Sequence, residues 1–118
     1  MNNTKKFDLE DGTYIRYSEQ GSGQPLLLLH TIRNRIEYSD EILPYLTKRF
    51  KVYVVDLPGH GDSSVNKKTN YDQNFMTNSI VSFIEHLNLK NLTIAGESIG
   101  AVLSATIAKK IPNRVKKI

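Results

Sequence analysis

The stretch that decides the fold is Asn91–Ile111, NLTIAGESIGAVLSATIAKKI. Leu92, Thr93, Ile94 and Ala95 make a short apolar, β-branched run, the pattern of a buried strand. Gly96-Glu97-Ser98-Ile99-Gly100 follows, and Ala101–Ile111 then carries small and apolar residues at helical spacing up to Pro112. A strand that reverses into a helix within one residue strains that residue, so the positions two before and two after it must be nearly free of side chain. Gly96 and Gly100 meet this demand, and the turn projects the Ser98 hydroxyl at the top of the sheet as a nucleophile elbow. The N–H groups at the start of the helix, its positive dipole end, face any anion that forms there. Three such fixed residues recur by chance about once in 3,000 windows at ordinary Gly and Ser abundance. The flanking strand and helix are therefore what make the motif informative.

The same alternation recurs on the N-terminal side of this stretch. Lys6–Leu9 and Tyr14–Ser18 read as strands joined at Asp11-Gly12, a hairpin signal. Gln20–Pro25 is a loop, and Leu26–Leu29 is a strand buried on both faces. A polar loop with two arginines covers His30–Tyr38. Ser39 is the expected N-cap of a helix with Asp40 and Glu41 in its first turn and Ile42, Leu43, Leu46 and Phe50 on its apolar side; Pro44 is expected to bend it. Lys51–Val55 is a further buried strand, and Asp56–Ser64 a loop dense in turn formers. Asn70 is the expected cap of a longer helix, with Gln73 at the capping-box position. Met76, Ile80, Phe83, Ile84 and Leu87 share one face of that helix, and Asn88 stops it. Val115–Ile118 starts another strand. Hairpin, then alternating strands and amphipathic helices, predicts an α/β fold: a β-hairpin followed by a mostly parallel sheet with helices on both faces and right-handed crossovers.

Composition bounds the function classes. The 118 residues suit one domain, 39% of them are hydrophobic, and the absence of cysteine excludes disulfides and Cys-ligated zinc. The N-terminus MNNTKKFDLE is polar and the longest apolar run is Leu26–Leu29, so neither a signal peptide nor a membrane span is expected, and a cytoplasmic location is. The net charge of +4 is dispersed in singles and pairs such as Lys5-Lys6, Lys67-Lys68 and Lys116-Lys117. No helix face carries a basic stripe interleaved with aromatics, so no nucleic-acid partner is expected.

With these residues in order, the chain resembles the N-terminal half of an α/β-hydrolase of the serine-nucleophile type. Leu26–His30 resembles the strand and histidine that open the oxyanion-hole loop. Val55-Asp56-Leu57-Pro58-Gly59-His60-Gly61-Asp62-Ser63 resembles the family's D-x-P/R-G-x-G-x-S loop, Tyr71–Leu87 the helix after it, and Gly96–Gly100 the elbow. The resemblance runs from about Phe7 to Ile118, within one incomplete domain spanning 1–118. It implies Ser98 as the nucleophile. It implies the backbone N–H of Ile99 and that of Ile32 as oxyanion donors, two being needed because a full negative charge forms on one oxygen. A small-molecule acyl substrate follows, an ester, thioester or relative, with no cofactor and no metal.

Two departures stand out. Thr31 occupies the position after the loop histidine where the family usually has glycine. In this fold the acid and histidine follow the nucleophile in chain order, and residues 99–118 contain no Asp, Glu or His. Little or no hydrolase activity is therefore expected of these residues alone, since serine is a poor nucleophile without a base. Among residues inside the chain, His30 is expected to support the loop, His60 to bond within its turn, His86 to be solvated, and Asp56 to fix the loop that follows it. Glu97 is assigned no chemistry. Arg33 and Arg35 are more simply a solvated loop than an anion site. The open sheet edge offers self-association. The alternative reading is a non-catalytic binding or interaction protein that reuses the half-fold.

Overall fold

The computed structural model describes residues 4–118; Met1–Asn3, part of the polar N-terminus, lie outside the described residues. Six strands, β1 (Thr4–Asp8), β2 (Tyr14–Gln20), β3 (Gln24–Leu29), β4 (Phe50–Val55), β5 (Leu92–Gly96) and β6 (Val115–Lys117), form one sheet in the order β1-β2-β4-β3-β5-β6. β1 and β2 are antiparallel, β2 joins β4 antiparallel, and β4, β3, β5 and β6 run parallel. The helices are α1 (Leu43–Leu46), α2 (Gln73–His86) and α3 (Ile99–Lys110), with a 3-10 turn at Ile36–Ser39. The expected α/β architecture is the one observed.

The leucine run sits at the middle of the sheet, and its alternation sorts the core into two layers. Leu27 and Leu29, with Tyr53, Val55 and Ile94, pack under Ile80, Phe83 and Ile84 of α2 and Leu103 and Ile107 of α3. Leu26 and Leu28, with Val52 and Val54, face Ile36 and Leu43 on the other side. Burial on both faces is why these strands read as continuous apolar runs. The second layer stops short of β5, where Thr93 is half-buried and Ala95 exposed.

Two helix starts differ from the sequence reading. Ser39 is no N-cap. It closes the 3-10 turn, its hydroxyl donating to the Ile36 carbonyl at 2.8 Å. The helix begins only at Leu43, with Pro44 in its first turn, where a missing N–H costs nothing; Pro44 starts the helix instead of bending it. Ile42, expected on the apolar side, is exposed. The longer helix is capped by Asp72, not Asn70: the Asp72 carboxylate accepts the Phe75 N–H at 2.8 Å. Tyr71 explains the later start. Its ring packs against Gly59 and its hydroxyl accepts the Asn66 N–H at 2.8 Å, so the chain must finish that wall before it can coil.

Candidate active site

The C-terminal ends of β3, β4 and β5 lie side by side, and the candidate site is built on them. At the end of β5, Ser98 has φ 55° and ψ −114°, outside the regions open to L-residues, at a cost of roughly 1–3 kcal/mol. The glycines around it are fixed by sterics. A Cβ on Gly96 would run into the backbone C and O of Gly100 and stand 2.7 Å from the N of Ala101. A Cβ on Gly100 would collide with the Leu29 carbonyl oxygen and stand 3.0 Å from that of His30. The first turn of α3 is therefore pressed onto the end of β3, and the Glu97 N–H donates to the Leu29 carbonyl at 3.3 Å across the same seam.

This seam brings the elbow beside the loop that leaves β3. Ser98 is exposed, and Ile99 is the first residue of α3, so its N–H has no intrahelical acceptor. Among the described residues the N–H groups of Ile32 and Ile99 have no hydrogen-bond partner. Thr31 is not among the left-handed residues, so the backbone there makes no demand for glycine; Arg33, with φ 65°, takes the left-handed turn instead. The Asn34 N–H donates to the Thr31 carbonyl at 3.2 Å and closes the loop.

His30 is fully buried, and its two ring nitrogens are both spoken for. Nε2 accepts the Leu57 N–H at 2.9 Å and Nδ1 lies 2.6 Å from the Thr31 carbonyl. The ring is thus neutral with its proton on Nδ1, and burial holds its pKa below the ordinary histidine value. It ties the β3 loop to the β4 loop and has no lone pair left to take a proton from serine. His60 bonds within its turn, Nδ1 3.0 Å from the Pro58 carbonyl, and His86 packs on Phe7 at the far end of α2.

Asp56 organises the β4 loop. Its carboxylate is fully buried and accepts from Arg16 Nε at 2.6 Å, the Ile36 N–H at 2.7 Å and the Asp62 N–H at 2.8 Å. A Cβ on Gly61 would occupy the space of that carboxylate. Arg16 also bonds Glu37 at 2.7 Å and pairs with Asp62 at 3.0 Å. Burial alone would lower the Arg16 pKa, but its bonds to Glu37 and Asp56 outweigh this and raise it. Arg35 pairs with Asp62 at 2.8 Å and with Glu37 at 3.4 Å. This five-residue ionic cluster, which sequence reasoning missed, clamps the loops on either side of a cleft of about 490 Å³ lined by Arg33, Asn34, Arg35, Gly59, His60 and Gly61. Glu97 is exposed, and its charge joins burial in raising the Tyr38 pKa.

No helix among the described residues is long and apolar enough to cross a membrane. Residues 24–118 match the family model described as alpha/beta hydrolase fold. Over 115 residues the chain is 30% identical to an (E)-2-((N-methylformamido)methylene)succinate hydrolase of Acinetobacter baylyi, covering 98% of this chain and 43% of that protein. A 2-(acetamidomethylene)succinate hydrolase of Mesorhizobium japonicum is 32% identical over 104 residues, 88% of this chain and 37% of its own length. The crystal structure of a hydrolase from Pseudomonas aeruginosa superposes with a TM-score of 0.89 at 26% identity, over 97% of this chain and 43% of that one. The chain thus spans about two fifths of the length of these relatives. With a family match over most of its residues, the chain belongs to the α/β hydrolase fold family.

Proposed function

We propose that these residues supply the nucleophile and the oxyanion hole of a serine hydrolase acting on small ester, thioester or related acyl substrates. The observation that carries this is the strained φ of Ser98 at the strand–helix junction, beside two uncommitted N–H groups. In this reading Ser98 Oγ attacks the acyl carbon, and the carbonyl π electrons move onto oxygen. The N–H groups of Ile99 and Ile32 receive that oxyanion; losing one such donor typically costs about 3–4 kcal/mol of transition-state stabilisation. The tetrahedral adduct collapses with loss of the protonated leaving group, and water then releases the acyl group. The proton acceptor and its acid partner come from outside these 118 residues, because residues 99–118 hold no Asp, Glu or His and His30 is committed. Two relatives are named as hydrolases of substituted succinates, which fits a small acyl substrate.

The test is chemical rescue. A fluorophosphonate is offered to the 1–118 protein and to Ser98→Ala, with and without imidazole as a surrogate base. The expected result is labelling that rises with imidazole and is lost in Ser98→Ala. Imidazole-independent labelling that persists in the alanine variant, or none at Ser98 with imidazole present, sinks the proposal.

A further inference from the structure

We infer that Arg33 is a substrate-recognition residue that binds a carboxylate carried by the acyl substrate close to its reacting carbonyl, a specificity that rests on the hydrolase reading above. Three observations converge on it. Arg33 holds φ 65° without being glycine, in the left-handed region that few non-glycine residues adopt and that is over-represented at binding sites. It is exposed and lines the 490 Å³ cleft together with Gly59, His60 and Gly61. Among the described residues it makes no ion pair and no side-chain hydrogen bond, whereas Arg35 in the same cleft is held by Asp62 and Glu37. The acids of the cluster are engaged by Arg16 and Arg35, which leaves the Arg33 guanidinium as the cleft's uncommitted cation.

Position gives the substrate class. Arg33 directly follows Ile32, so the two Cα atoms are about 3.8 Å apart. The Arg33 guanidinium is thus tethered within one arginine side chain's reach of the Ile32 N–H, and one small molecule with a short spacer between carboxylate and acyl carbon can span an anion on the first and an oxyanion on the second. The planar guanidinium matches a carboxylate by two parallel N–H···O bonds, which a neutral ester does not offer. Half-esters and half-amides of short diacids fit; neutral esters fit the elbow alone.

The test is amide NMR titration of Ser98→Ala protein, in which no ester is turned over, with monomethyl succinate, dimethyl succinate and inorganic phosphate. Saturating shifts at Ile32, Arg33, Gly59 and Gly61 are expected with the half-ester, and at least tenfold weaker binding of the diester. Adding Arg33→Asn is expected to weaken half-ester binding about tenfold while keeping the fold, since asparagine tolerates a positive φ; Arg33→Lys is expected to retain part of the affinity. Equal binding of half-ester and diester, unchanged affinity in Arg33→Asn, or phosphate binding as tightly as the half-ester overturns the inference. Arg33-dependent binding in a protein that fails the imidazole test sinks the hydrolase reading alone, and the reverse pattern sinks only Arg33.

Discussion

Replacing Gly100 by alanine tests whether the elbow is held as tightly as its geometry says. Two effects oppose each other. Gly100 lies in the first turn of α3, and alanine there gains up to about 1 kcal/mol of helix propensity. Against this, the new Cβ would collide with the Leu29 carbonyl oxygen and stand 3.0 Å from that of His30, while unstrained carbon contacts begin near ~3.5 Å. Both obstacles are backbone atoms of the central strand and its exit, so no side chain can swing away and α3 must retreat. Overpacking of this kind costs about 3 kcal/mol at the upper end of its usual range. The net expectation is destabilisation by about 2 kcal/mol, read as a fall of roughly 1 M in the urea midpoint. Ala105→Gly, at an exposed position of the same helix, calibrates the propensity effect at about 1 kcal/mol. Because the retreat carries Ile99 away from Ile32, imidazole-rescued labelling of Ser98 should fall with it. A Gly100→Ala protein as stable as the parent, or more so, refutes the account of α3 pressed against β3.

Ser98→Gly should raise stability by about 1 kcal/mol in the same urea titration, since glycine accepts a positive φ, while ending fluorophosphonate labelling. Asp56→Asn places an amide N–H₂ against donors from Arg16 or Asp62 and should cost about 3 kcal/mol; a loss near zero would mean that the buried cluster contributes nothing. Burial depresses the His30 pKa in the folded state, so the unfolded chain binds its proton more readily. The stability this gives is complete above the unfolded value, near ~6.5, and is lost as pH falls through the folded value. Urea midpoints should therefore drop as pH falls below about 6.5, and His30→Gln should remove that part of the slope. Glu37, held below the carboxylate range first by its bond to Arg16, acts the same way at lower pH; Glu37→Gln should flatten the fall in stability below about pH 4.5.

What the sequence made legible was local. The leucine run, the valine-rich strand and the glycines around Ser98 each announce themselves within a few residues, because period, burial and steric demand act at that range. Helix starts were less legible. Ser39, Asn70 and Asp72 are all good caps by type, and only the docking of Ile36 and Tyr71 into the tertiary structure selects among them. The cluster around Asp56 was the least legible. Asp56 read correctly as fixing the loop after it, but Arg16 lies 40 residues earlier on a strand whose alternation gives no hint of a buried cation. Its partnership exists only because β2 pairs antiparallel with β4. The role inferred for Arg33 was obscured in another way, since a positive φ at a residue other than glycine leaves no mark on composition or period.

The place of β3 has one more consequence. It is hydrogen-bonded on both sides, to β4 and β5, and its four leucines are shut away on both faces. Amide hydrogens of Leu27 and Leu28 can meet solvent deuterium only when the whole chain opens, so they should be the slowest to exchange and should report the global unfolding free energy. The amides of α3 need only local fraying of a helix covered on one side. The two N–H groups proposed to receive the oxyanion thus hang from the most and the less persistent parts of the same molecule, and slow loosening should reach Ile99 long before it reaches the strand from which the Ile32 loop leaves.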